Sequence, residues 1–176
     1  RLMLGMANGG HRLSRWARAH PLLFAGGCGT VGEVLGVATG LTWGTGYSAA
    51  RAMITGVDAP LWFGPAKFAA TLATAVAGLP GGIFAPSLAV GAGVGNLLRE
   101  LFPSDPASAV VILGMVGYFA GVVRAPLTAV IILSETTASR GLMLPMFATA
   151  FIADAASRWV CREKLYHGLS RTFVGQ

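Results

Sequence analysis

The run Gly78-Leu79-Pro80-Gly81-Gly82-Ile83-Phe84-Ala85-Pro86 lies inside a stretch, Phe68 to Leu98, that carries no charged residue. Thirty-one uncharged residues are too many for one membrane crossing, which takes about 20. The run also cannot stay helical through its middle. Pro80 removes an amide and clashes with the preceding turn, and the glycines add backbone freedom. Ala85-Pro86 suits the first turn of a new helix, where a missing N–H costs nothing. The reading is therefore two half-length helices meeting at Leu79 to Phe84, deep in an apolar environment. Non-helical backbone at that depth is tolerated only where protein buries it or where it lines an aqueous cavity. The first amides of the new helix have no helical acceptor, and the end of its dipole is positive. An anion would satisfy them. So would a capping contact from another helix, and the residues alone leave both open.

The rest of the chain reads as the same kind of object. Of 176 residues 54% are hydrophobic and only 11% are charged, whereas a soluble domain carries about 25%. A water-soluble globule and a disordered chain are both excluded on that ground, and the bilayer is the expected solvent. Glycine, at 25 residues, lets helix backbones approach closely. Arg12, Arg15 and Arg18 precede the first apolar segment, and Arg158, Arg162, Lys164 and Arg171 follow the last. The positive-inside bias places both ends in the cytoplasm with an even number of crossings between them. A net charge of +6 gathered at segment ends does not make the solvated basic stripe that nucleic acid requires, so no nucleic-acid partner is expected. The chain opens without a start methionine or signal-peptide layout, which reads as a fragment of a longer membrane protein.

Helices are expected at Leu22 to Ala38, Tyr47 to Ile54, Ala107 to Val123, Ala125-Pro126 to Thr137 and Leu142 to Cys161, with a short amphipathic helix from Leu165. Spacings Gly32/Gly36/Gly40, Gly91/Gly95 and Gly117/Gly121 fit close helix packing. Cys28 and Cys161 read as small hydrophobes. Trp16, Trp43, Trp62 and Trp159 read as interfacial anchors. His11, His20 and His167 form no spaced metal set. Gly44-Thr45-Gly46-Tyr47-Ser48-Ala49 fits a dinucleotide fingerprint in letters only, since neither a preceding strand nor a following acid accompanies it. Neither a cofactor nor a catalytic constellation is expected. Three acids in apolar segments call for partners. Glu33 could lie near the far end of its helix or pair with a cation such as Lys67, Glu135 closes a helix, and Asp154 stands one turn before Arg158, close enough to neutralise it.

Three motifs carry a resemblance. Gly81-Gly82-Ile83-Phe84-Ala85-Pro86 followed by Ser87-Leu88-Ala89-Val90-Gly91-Ala92 resembles the anion-binding motif of the CLC family of chloride channels and chloride/proton antiporters. Arg124-Ala125-Pro126-Leu127-Thr128, running on to Ser134-Glu135-Thr136-Thr137 and then to Leu144-Pro145-Met146, is similar to a later segment of that family. Lys164-Leu165-Tyr166 stands where the family has an anion-coordinating tyrosine. The resemblance implies an all-α, polytopic membrane fold with broken and re-entrant helices. It implies that residues 1–176 are the second inverted repeat of a CLC-type domain whose first half is absent here. Chloride would be the substrate, bound at Gly82, Ile83, Phe84 and Tyr166. Ile83 and Phe84 would donate backbone N–H groups and Tyr166 its hydroxyl, weak contacts that permit release. The family's serine and glutamate motifs belong to the first half, so channel and proton-coupled exchanger stay open. Ala77-Gly78-Leu79-Pro80 departs from the family in lacking a serine before Gly81-Gly82, and Tyr166 favours chloride-like anions over fluoride. The resemblance also implies a homodimer, with Pro126 to Thr137 and Leu142 to Cys161 at its interface. Val130, Ile131, Leu133 and Leu144 would supply a packing face there, or face lipid. The alternative is a membrane scaffold or assembly subunit that keeps the fold and has lost transport.

Overall fold

Helix boundaries follow the glycines and prolines. The computed structural model describes residues 20–40, 42–57, 59–76 and 83–160. Among these the secondary structure is helical throughout, with no strand. Helix α1, Pro21–Thr39, starts on a proline and ends at Gly40 in a left-handed conformation. Helix α2, Tyr47–Ile54, is entered through Gly46, also left-handed. Helix α3 is Phe63–Val76 and α4 is Phe84–Leu98, so the charge-free run is indeed carried by two helices. A single 3-10 turn, Arg99–Leu101, leads on to α5, Ala107–Val123. Helix α6, Pro126–Thr137, begins with proline in its first turn, and a second 3-10 turn, Arg140–Leu142, leads into α7, Met143–Val160. Residues 79–82, the basic cluster Arg12, Arg15 and Arg18, the cluster members Arg162, Lys164 and Arg171, Cys161 and the helix expected from Leu165 lie outside the described residues.

Among the described residues no helix is long and apolar enough to cross a membrane. Segments read from the sequence as spans are cut to 19 residues or fewer by their Gly and Pro breaks. At 1.5 Å per residue that is about 28 Å, just short of the hydrocarbon thickness.

Helix α5 is the hub. Val111, Ile112, Met115, Val116, Phe119, Ala120 and Val123 on it are all buried. It meets α4 at a glycine crossing. A Cβ placed on Gly91 would stand 2.7 Å from Met115 Cα, and one on Gly95 would stand 2.6 Å from Val111 Cα. Gly114, which the sequence spacing does not single out, is the matching small residue on α5. On the other side α5 meets α7, where Gly117 faces Thr149 and the Ser157 hydroxyl donates to the Gly121 carbonyl at 2.6 Å. The α1 glycines behave differently. Gly32 and Gly40 face open space, and Gly36 is covered by the Trp43 ring.

Two expectations are corrected by this packing. Val130 and Leu133 are fully buried in the chain's own core and cannot form an outer face with Ile131 and Leu144. Helix α6 turns that side toward α5. The outward apolar residues of α6 and α7 include Leu127, Ile131, Leu144 and Ile152. Nor does Glu33 pair with Lys67: the ammonium is hydrogen-bonded to backbone carbonyls instead. Glu135 is exposed near the end of α6, as a helix-closing carboxylate should be.

Candidate functional site

The start of α4 is the centre of interest, and the way the chain presents it is specific. Ile83 is the N-cap residue and offers no side-chain acceptor to the first amides. The next residue, Phe84, packs its ring against Phe119 of α5, with centroids 5.0 Å apart and planes tilted by 56°. That contact anchors the first turn to the hub helix through an aromatic pair. Pro86 and the buried Ser87 complete the turn. With an apolar N-cap, Ile83 adds nothing from its own side chain to the positive end of the backbone dipole here.

That space is a cavity of about 350 Å³, lined among the described residues by α1, the 42–44 turn, α3 and the first turn of α4. Ile83 and Pro86 contribute the α4 side, and Thr71, Thr74 and Lys67 the α3 side. Lys67 is only 2% exposed. Its Nζ donates to the Thr42 carbonyl at 2.8 Å and to the Gly44 carbonyl at 2.6 Å. A buried ammonium needs such acceptors, because burying an unpaired charge is expensive.

The Gly44-Thr45-Gly46 sequence has its explanation here. Gly44 and Gly46 take positive φ angles of 54° and 75°. The turn they form points its carbonyls at Lys67. A Cβ on Gly46 would stand 2.8 Å from Ala89 Cβ and 3.0 Å from Lys67 Cε. Gly46→Ala should therefore strain the left-handed backbone by about 1–2 kcal/mol and displace the lysine as well. A lowered unfolding midpoint for Gly46→Ala, larger than for Gly56→Ala, checks this; at Gly56, φ 88°, a Cβ meets nothing within 4 Å.

Of the four residues the sequence assigns to anion binding, Ile83 and Phe84 are placed at the α4 start, and Ile83 lines the cavity. Gly82 and Tyr166 lie outside the described residues. Lys67 is the residue that sequence reasoning placed poorly, as a partner for Glu33. Its position one helix earlier in a charge-sparse chain was the available signal.

The second polar cluster joins α7 to the end of α5. Asp154 of α7, buried, accepts from Arg158 Nε at 3.1 Å and lies 3.4 Å from Arg124 Nε. Arg124 is the left-handed residue that ends α5, so this carboxylate ties the α5–α6 corner to α7. The i,i+4 pair expected from the sequence is present, and the third member comes from 30 residues away.

Residues 1–158 of the 176 match a family model described as voltage gated chloride channel.

Proposed function

Because the chain belongs to the voltage-gated chloride channel family, whose members are membrane channels or transporters for chloride and not enzymes, we propose that it forms the anion-holding half of such a pathway. Chloride sits at the start of α4, held by the backbone amides of Gly82, Ile83 and Phe84 and by the Tyr166 hydroxyl. The observation that carries this reading is the start of α4, whose N-cap residue Ile83 supplies no side-chain hydrogen bond, opening on a cavity that is also lined by a buried lysine. Backbone amides suit the task because each contact is weak, so the ion is stripped of part of its water and still leaves. No carboxylate of α3 or α4 faces this cavity; Glu33 of α1 is the acid that does.

The working unit extends beyond residues 1–176. An inverted first repeat supplies the remaining coordination and decides between channel and exchanger, and two copies make a homodimer, each with its own pathway. Leu144, 82% exposed, with Leu127, Ile131 and Ile152, leaves an apolar outer surface on α6 and α7. A patch of that kind needs lipid or protein to cover it. Multi-pass insertion with both ends in the cytoplasm completes the proposal.

The test uses the full-length protein in liposomes under an imposed chloride gradient, with chloride efflux and proton movement recorded together. Efflux is the expected result. Uphill proton movement identifies an exchanger, and its absence identifies a channel. A protein that inserts and dimerises but passes no chloride supports the scaffold alternative. Tyr166→Ala should weaken chloride binding about tenfold or more, the loss expected for one hydrogen bond to a charged group. Unchanged binding in that variant removes Tyr166 from the site.

A further inference from the structure

Helix α3 places two donors on one face, a single turn apart, and neither is used up by the fold. Lys67 gives two of its three ammonium protons to the Thr42 and Gly44 carbonyls. The Thr71 hydroxyl is buried and, among the described residues, has no hydrogen-bond partner. Residues i and i+4 of a helix are neighbours, and both line the cavity onto which the first turn of α4 opens. A buried hydroxyl without a partner is costly and is ordinarily satisfied. Thr74, on the next turn, donates to the Ala70 carbonyl and so is already committed.

We propose that Lys67 and Thr71 form a second halide-binding position in this cavity, in series with the α4 site. The ammonium supplies charge attraction and the Thr71 hydroxyl a directed hydrogen bond. A free ammonium would hold a halide too firmly for transport. Here two carbonyl dipoles offset it and Glu33 lines the same cavity, so the position attracts an anion and releases it onward. The 42–44 turn thereby sets the strength of the position as well as the shape of the loop. This inference rests on the anion-transport reading and extends it to residues outside the α4 motif.

The experiment measures chloride flux by the full-length protein in liposomes as a function of chloride concentration, separating half-saturation from maximal rate. Lys67→Met should raise half-saturating chloride about fivefold or more, as loss of a nearby charge in a poorly solvated site demands. Thr71→Val should raise it by a smaller factor while leaving Lys67 and its turn in place, so it remains informative if Lys67→Met fails to fold. Glu33→Gln should shift half-saturation in the opposite direction, an opposed sign that a merely structural role for Lys67 would not produce. Lys67→Arg should restore most of the affinity. If wild type transports and Thr71→Val and Glu33→Gln both keep the wild-type half-saturation, the second position is overturned and the α4 reading stands. If wild type passes no chloride, both fall.

Discussion

Replacing Asp154 with alanine should destabilise the helical assembly by about 3–5 kcal/mol, the cost of removing one member of a buried ion pair. The carboxylate is buried on α7 and is shared by two guanidinium groups. Arg158, on the same helix, is largely exposed and can turn to water when the acid is lost. Arg124 cannot: its side chain is 9% exposed, and its backbone is fixed in the left-handed conformation that ends α5. The penalty therefore falls on the α5–α6 corner, and α6 should detach from the α5–α7 pair first. Purified full-length protein titrated with denaturing detergent, with tryptophan fluorescence as the readout, gives the midpoint shift. The combined variant Arg124→Met with Asp154→Leu should recover most of the loss, since exchanging both buried partners for apolar groups is often close to neutral. A single Asp154→Ala with a wild-type midpoint would show that the ion pair contributes nothing to holding α7.

This cluster also shows how far the sequence could be read. The Asp154–Arg158 pair is a helix-surface rule and is legible from spacing alone. Arg124 joins through the tertiary fold, and no local pattern announces it. The same division runs through the chain. The bounds of α2, α5 and α6 follow from Gly46, Pro106 and Pro126, whose backbone preferences are local. Helix α3 begins at Phe63, five residues before the charge-free run, because Lys67 is carried inside the helix and not at its edge. A charge marks a boundary only when nothing inside can accept its protons, and the acceptors here come from a turn more than 20 residues earlier. The two helices on either side of the break were legible, since Pro and Gly act on their own backbone. The cavity that α4 opens onto was not, since it is made by α1, α3 and a turn that converge only on folding. Val130 and Leu133 were misplaced for a related reason: an apolar residue on an apolar helix does not say which neighbour it will face.

Gly95→Val should be at least as damaging to the site as to the fold, at about 3 kcal/mol, the upper end of what overpacking costs. The first carbon of a side chain there would stand 2.6 Å from Val111 Cα and 2.9 Å from the Val110 carbonyl oxygen, so the clash is with backbone and no rotamer relieves it. Helix α4 would have to retreat from α5. Its first turn is held on α5 by the Phe84–Phe119 ring contact, and a retreat at Gly91 and Gly95 levers that contact apart. The amides of Ile83 and Phe84 would then move relative to the cavity, so chloride half-saturation should rise in whatever protein still folds. Gly121→Ala is the matched control. There a Cβ meets only the Ala153 carbonyl oxygen, at 3.8 Å, an ordinary contact. Its unfolding midpoint and chloride dependence should stay near wild type, apart from any weakening of the Ser157 hydrogen bond to the Gly121 carbonyl. Two glycines on the two sides of one helix crossing system thus differ by more than 1 Å in the room they leave. Equal effects of the two substitutions would mean that the close α4–α5 approach does not govern the loss at Gly95. A large loss at Gly95 with little at Gly121 would mean that the anion site is positioned by backbone contact between α4 and α5.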